Sequence, residues 1–321
     1  RDKSRPVLHA DMEVGHGVRA DLKIRRSGCP LFSGPDSLVS VDIKTINGNP
    51  LSLPSMLLPF QNHLQVQFPQ LYGAKLLVAI SGGVDSVVLT HLCKESGLDI
   101  ALVHCNFHLR EEESEADEDF VLALGDALDL EVFVEHFDTT AFALEKKISV
   151  QMAARELRYQ WFKELRESLG YHYVLTAHHA DDDLETFFIN LVRGTGLEGL
   201  TGIPPQNEFI LRPLLIFSRE SIESFAKNHR LSWREDSSNA SSKYLRNKLR
   251  HDLIPVLREM NPQLLDSFKK TQSHLKQSSN LIEDYISAIF PRVAKETRYG
   301  YSFNIKMLNL IHSAALTAMQ C

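Results

Sequence analysis

From Lys75 onward the chain alternates short apolar runs with longer amphipathic segments, the pattern of a doubly wound α/β domain in which helices cross over a parallel sheet. The predicted strands are Leu76–Ile80, Ile100–His104, Glu131–Phe137 and Tyr173–Thr176. Between them lie Ser86–Ser96, Glu112–Leu130 and Val150–Leu169, each long enough for a crossover helix, and Asp181–Arg193 follows the last strand. Such a fold gathers its ligands at the carboxyl ends of the strands.

Either side of this region the pattern changes. Residues 1–55 mix Gly, Pro, Ser and charge without helical or strand periodicity, and are expected to be disordered or a non-native extension. Met56 then opens an apolar, helix-compatible stretch, Leu57–Phe68. After Gly194 the periodicity weakens through a Gly/Pro segment to Pro205 and returns as helical Ser218–His229, a basic helix Lys243–Arg258, and a helix from Gln263 to about Ile289. The expected organisation is a nucleotide-binding domain over 56–215 and a smaller helical region over 216–321. No cap or stop signal marks Ala314–Cys321, which points to a truncated chain.

With 321 residues, 43% of them hydrophobic, the chain can bury a full core and carry an appendage. Nothing approaches the roughly 18 consecutive apolar residues of a membrane helix, so a cytoplasmic protein is expected. Cys29, Cys93, Cys105 and Cys321 form neither a CxxC pair nor a zinc-type spacing, which predicts reduced, mostly buried thiols and no structural metal. A formal net charge of −6 confines any RNA site to a local basic patch.

The strand Leu76–Ile80 runs straight into Ser81, Gly82, Gly83, Val84, Asp85 and Ser86, and these run straight into a helix. A strand, a glycine turn and a helix N-terminus make an anion site, because successive N–H groups face one point with no Cβ in the way. There is no GxxxxGK[ST] and hence no lysine for a terminal phosphate. With Asp85 placed to help hold Mg²⁺, the loop suits clamping pyrophosphate while attack occurs at the α-phosphate of ATP. The bland alternative is a tight connection.

Three further groups stand at predicted ligand-facing positions. After the second strand, alternation puts His104, Asn106 and His108 on one face, toward adenine, ribose or a base, with Arg110 near phosphate; a helix cap and solvated loop is the alternative. After the fourth, Asp181, Asp182 and Asp183 crowd a helix start. Asp181 and Asp182 lie four and three residues before Glu185, so a carboxylate pair can share a helical face and hold Mg²⁺ or an ammonium group. Asp182 is the second expected metal ligand, and plain capping is the competing explanation. In the last group Arg246 and Arg250 share a face of the basic helix, with Arg212 a third cation for triphosphate or RNA backbone.

The string SGGVDS after an apolar strand resembles the phosphate loop of the PP-loop ATP pyrophosphatases. His178-His179-Ala180-Asp181-Asp182-Asp183-Leu184-Glu185-Thr186 resembles the HHxDDxxET segment of the tRNA(Ile)-lysidine synthetase family and of related 2-thiocytidine enzymes. Arg193-Gly194-Thr195-Gly196-Leu197-Glu198-Gly199-Leu200, Arg212-Pro213-Leu214-Leu215, Glu235 to Asn239, and Arg246-Asn247 with Arg250 follow in the lysidine synthetase order. The resemblance spans roughly Leu76 to Pro262. It implies a Rossmann-like fold of the adenine nucleotide alpha hydrolase type. It also implies a ligase that adenylates C2 of the wobble cytidine of a CAU-anticodon tRNA(Ile) and joins free lysine to it, releasing AMP and pyrophosphate.

By the same resemblance Asp85, Asp181, Asp182, Glu185 and Arg246 are the expected catalytic residues, ATP and Mg²⁺ occupy Ser81–Ser86, and Arg193, Gly194, Asn247 and Arg250 contact tRNA. A homodimer is the assembly seen in many relatives. Two rival functions stand beside this one: a tRNA thiolating enzyme, which needs paired cysteines, and a non-catalytic ATP sensor.

Overall fold

The computed structural model describes residues 8–13, 19–25, 56–110, 112–235 and 245–308. In chain order the elements are β1 (Leu8–Glu13), β2 (Arg19–Arg25), α1 (Leu57–Gln67), β3 (Lys75–Ala79), α2 (Val84–Glu95), β4 (Asp99–Asn106), α3 (Glu112–Leu128) and β5 (Val132–His136). Next come α4 (Thr139–Lys146), α5 (Val150–Leu169), β6 (Tyr173–Leu175), α6 (Ala180–Arg193), α7 (Leu197–Leu200), β7 (Gln206–Asn207), β8 (Ile210–Leu211) and α8 (Arg219–Asn228). The remainder is α9 (Leu245–Lys248), a π-helical turn (Leu249–Leu253), α10 (Ile254–Met260), α11 (Leu264–Val293), the hairpin β9 (Ala294–Thr297) and β10 (Gly300–Phe303), and α12 (Ile305–Leu308).

The chain forms two compact units, one of residues 1–180 with 205–238 and one of 181–204 with 239–321. In the first, the sheet runs β1-β2-β5-β4-β3-β6-β8-β7, with β5, β4, β3, β6 and β8 parallel and the outer strands antiparallel. The central strands read as unbroken apolar runs because both their faces are covered. Leu76 and Val78 of β3 face Phe60, Val87, Val121 and Phe225 from four helices, while Leu77 joins Trp161, Phe162 and Leu165 of α5 on the other side.

The expected strands and crossover helices are present, shifted by a residue or two at their ends, and the doubly wound parallel sheet is confirmed. The sheet is wider than the pattern suggested. β8 adds a fifth parallel strand of only two residues, too short to show a period. Within the first 55 residues, β1 and β2 pair as a hairpin and extend the sheet antiparallel to β5. Edge pairing uses main-chain N–H and C=O groups, which any sequence supplies, so no hydrophobic period announces it.

Unit boundaries also differ from the single cut expected at 215. Helix α8 buries Ile222, Phe225 and Ala226 in the core that contains α2, so it belongs with the sheet. Residues 181–204 belong to the second unit, where Phe187 and Phe188 of α6 pack against Phe268 and Ile254 around buried Leu184. The basic helix is interrupted by a π turn in which the Ile254 N–H reaches the Leu249 carbonyl. Pro255, the next residue, has no N–H to continue an α-helical ladder, and the extra residue is absorbed ahead of it.

Candidate functional site

The phosphate loop joins β3 to α2, and its two glycines have different reasons. Gly82 has φ +87°, a conformation that favours glycine. Phe120 of α3 and the Arg234 side chain lie on either side of where its Cβ would point, at 3.4 and 3.5 Å. Gly83 is extended, at φ −70° and ψ 158°, which any residue adopts, and a Cβ there would touch only Ser81 Oγ at 3.5 Å. What Gly83 provides is open space in front of the helix.

Inside the loop, the Ser81 N–H donates to Ser86 Oγ (3.3 Å), the Gly83 N–H to Ser81 Oγ (3.4 Å), and Ser86 Oγ to the Gly83 carbonyl (2.9 Å). The N-cap of α2 is Gly83, which has no side chain to cap the helix. First-turn N–H groups of a helix have no intrahelical acceptor, and here they point with the helix dipole toward the mouth of the loop.

Asp85 sits in that first turn. It is ion-paired with Arg219, the first residue of α8, and its Oδ1 is 3.8 Å from Nε2 of the buried His179. Arg219 in turn holds Glu223 (2.8 Å). Neither Arg219 nor His179 was selected from sequence, although Arg219 directly follows the helix-capping Ser218 and His179 stands in the HHxDDxxET string.

The residues after β4 form a network of their own. His104 is buried and its Nδ1 donates to the Ile80 carbonyl (2.9 Å), one residue before the loop; burial lowers its pKa from the ordinary histidine value. Asn106, also buried, donates to Glu118 (2.9 Å) and accepts from the His108 N–H (3.1 Å). His108 is exposed with φ +50°, and its Nε2 lies 2.9 Å from His136 Nδ1, while His136 Nε2 lies 3.1 Å from Glu118. Thus His104 and Asn106 are buried, and of the three only His108 is exposed.

Arg110 donates to Asp117 (3.0 Å), and the other oxygen of Asp117 accepts from Arg234 Nε (2.9 Å). Arg234 closes the circuit by donating its main-chain N–H to the Gly82 carbonyl (2.9 Å). Arg212 follows β8 and is buried.

In the second unit, the carboxylates of α6 meet arginines of the interrupted helix. Glu185, 1% exposed, accepts two hydrogen bonds from Arg250, at 2.6 and 3.0 Å, and lies 3.5 Å from Arg246 Nε. Burial pushes its pKa above the usual glutamate value, against the pull of the arginines. Arg246 also donates to Thr186 (3.0 Å), Arg250 lies 3.7 Å from Asp182, and Arg258 pairs with Asp181. The spacing of Arg258 eight residues beyond Arg250 was the overlooked signal. Asp183 points elsewhere and accepts from the Ile203 N–H (2.5 Å) and Gln272 (2.7 Å).

Arg193 ends α6 in an exposed position and Gly194, at φ +74°, terminates it in a left-handed turn. Asn247 lies on α9 between Arg246 and Lys248. Residues 236–239 of the EDSSN string, Cys29 and Cys321 lie outside the described residues. Burial raises the thiol pKa of both Cys93 and Cys105, the latter to about 12.

Among the described residues, no three His, Cys, Asp or Glu side chains converge as a ready metal cage. A Mg²⁺ held largely by phosphate oxygens and water asks for only one or two carboxylates. A lone Asp85 at the mouth of an anion loop fits that demand. No described helix is long and apolar enough to cross a membrane.

The PP-loop domain family matches residues 56–257. The tRNA(Ile)-lysidine synthase of Bacteroides thetaiotaomicron is 43% identical over 219 residues, 68% of this chain and 51% of that protein. That of Porphyromonas gingivalis is 44% identical over 248 residues, 74% of this chain and 54% of that protein. That of Chlorobaculum tepidum is 37% identical over 222 residues, 68% and 67% of the two chains. This chain thus spans about half the length of the first two relatives. Among solved structures, the U34-tRNA thiolase NcsA from Methanococcus maripaludis with its [4Fe-4S] cluster shares the fold, with TM-score 0.57 and 16% identity over 68% of this chain and 78% of that one.

Proposed function

This chain belongs to the PP-loop domain family, alongside the tRNA(Ile)-lysidine synthases, and from that premise we propose that it adenylates the wobble cytidine of a CAU-anticodon tRNA(Ile) and transfers free lysine to it. One observation carries the reading. The N-terminus of α2 behind Gly82 and Gly83 carries an aspartate, and the Ser81–Ser86 loop itself contains no lysine, a cradle suited to a departing pyrophosphate.

In this mechanism the loop N–H groups and the Ser81 and Ser86 hydroxyls hold the β- and γ-phosphates of ATP. The cytidine C2 oxygen attacks the α-phosphorus, the bond to the bridging oxygen breaks, and pyrophosphate leaves. An amide-like C2 oxygen is a poor leaving group, and the adenylate makes it a good one. The lysine ε-amine, once deprotonated, then attacks C2, and AMP departs with the oxygen.

Mg²⁺ would be held by Asp85 and would supply charge neutralisation of the phosphates. Arg219 then has to release Asp85, and its guanidinium becomes available to phosphate oxygens. Glu185, Asp181 and Asp182 give the incoming lysine ammonium a carboxylate neighbourhood, and their present arginine partners hold that acidic face neutral until substrate arrives. Arg246 keeps its expected catalytic role, Asn247, Arg250, Arg193 and Gly194 are the proposed RNA contacts, and His108, Arg110 and Arg212 the remaining nucleotide contacts.

The thiolating alternative asks for reactive cysteines, whereas burial holds the two cysteines among the described residues, Cys93 and Cys105, as protonated, weakly nucleophilic thiols. The test is incubation with radiolabelled lysine, ATP and unmodified tRNA(Ile). Label in the RNA supports the proposal. Release of pyrophosphate without lysine transfer, in the presence of a sulfur donor that enters the RNA, rejects it.

A further inference from the structure

The phosphate loop is held from outside by a circuit that its own motif does not contain. Asp117 of α3, 8% exposed, receives Arg110 on Oδ2 (3.0 Å) and Arg234 on Oδ1 (2.9 Å). Arg234 donates its main-chain N–H to the Gly82 carbonyl (2.9 Å) and lays the stem of its side chain against Gly82. Phe120, one helical turn beyond Asp117, covers the same glycine.

We propose that Asp117 is a positioning residue for the phosphate loop, holding Arg110 and Arg234 so that the Gly82–Gly83 peptide stays aimed and two guanidinium groups stand at the rim where pyrophosphate departs. The inference rests on the reading of this loop as a pyrophosphate site.

The physical reason lies in the peptide plane. In a trans peptide the carbonyl of one residue and the N–H of the next point in opposite directions. Fixing the Gly82 carbonyl on Arg234 therefore turns the Gly83 N–H toward the interior of the loop, where it meets Ser81 Oγ (3.4 Å). A glycine at φ +87° has more backbone freedom than other residues, so an external tether has most to contribute here. Glu113 also approaches Arg110, at 3.6 Å, so two carboxylates stand against the two guanidinium groups, and Asp117 is the one that joins Arg110 to Arg234.

The sign of one substitution separates positioning from mere neutralisation. If Asp117 only offsets charge, Asp117→Asn adds net positive charge and inorganic pyrophosphate binds as tightly or more tightly. If Asp117 positions the pair, Asp117→Asn weakens pyrophosphate binding by about tenfold, the scale of a lost hydrogen bond to a charged group. Asp117→Glu then restores most of the affinity. Arg234→Met, which keeps the apolar stem over Gly82 and loses the guanidinium, gives a similar loss, and combining it with Asp117→Asn adds little further.

The experiment is calorimetric titration of the whole chain with inorganic pyrophosphate and Mg²⁺, with thermal melts to compare folding. Should Asp117→Asn fail to fold, Arg234→Met carries the test alone. Wild-type affinity in the folded Asp117→Asn or Arg234→Met variant overturns this inference and leaves the loop reading intact. Failure of the wild-type chain to bind pyrophosphate overturns both.

Discussion

His179, in the loop after β6, and Asp85, in the first turn of the helix after β3, meet with Nε2 3.8 Å from Oδ1. The two strands are neighbours, yet the chain visits β4 and β5 on the far side of β3 before crossing back to β6. That reversal opens the crevice in which doubly wound sheets bind ligands. A carboxylate at the loop mouth, steadied by a buried imidazole and by Arg219, is thus a product of topology as much as of motif.

Replacing Asp85 by Ala should abolish pyrophosphate release, by about 100-fold or more, since it removes the carboxylate of the phosphate loop from the developing charge. The fold should survive, because Asp85 lies on the helix surface and its partners Arg219 and His179 belong to elements with their own core contacts. Pyrophosphate release and a circular-dichroism melt, read together, check both halves.

The two loop glycines should separate cleanly. Gly82→Ala places a Cβ at φ +87° and should lower stability by about 1–2 kcal/mol as well as activity. Gly83→Ala occupies an extended backbone with only Ser81 Oγ nearby, so stability should change little while the affinity for ATP falls. Urea denaturation against ATP titration distinguishes them; equal destabilisation by both would contradict the geometry.

In the second unit, Arg250→Ala leaves the carboxylate of Glu185 buried without its two-point partner. The cost should be about 3 kcal/mol, the low end for a buried pair because Arg250 keeps contact with solvent. Adding Glu185→Gln to that variant should recover much of the loss, as the stranded charge is gone. Denaturation midpoints of the two variants test this, and no recovery would show that packing rather than charge sets the cost.

Asp183 and Glu185 both have pKa values raised by burial, with hydrogen bonds pulling the other way. Each therefore releases its proton at lower pH in the unfolded chain than in the folded one. Their contribution to stability is present below the ordinary carboxylate range of about 4 and is lost as pH rises through the raised folded values. Asp183→Asn keeps an acceptor for the Ile203 N–H and removes one ionisation. The variant should lose less stability than wild type between about pH 4 and 7. Parallel slopes in denaturation midpoint against pH would contradict this.

The sheet was legible in sequence because strands covered on both faces, such as Leu76–Val78 and Leu102–Val103, must be apolar throughout. The phosphate loop was legible because Gly82 needs its left-handed backbone and the strand and helix around it are long enough to recognise. Pairings between distant segments were not. Arg219 with Asp85, Arg234 with Gly82, and Arg258 with Asp181 join residues far apart in the chain, and a single sequence holds no trace of which arginine meets which carboxylate. His104 illustrates the converse. Its position at a strand's carboxyl end suggested a ligand contact, and its Nδ1 is bonded instead to the Ile80 carbonyl, leaving only Nε2 for such a role.

The central claim is that the Ser81–Ser86 loop releases pyrophosphate when a wobble cytidine attacks ATP. The direct measurement follows ATP labelled at the α- and γ-phosphates with CAU-anticodon tRNA(Ile) and with the same RNA carrying uridine at the wobble position. The account predicts AMP and intact pyrophosphate, formed with the cytidine RNA and not with the uridine RNA. ADP with inorganic phosphate, or AMP formed equally with both RNAs, would contradict it.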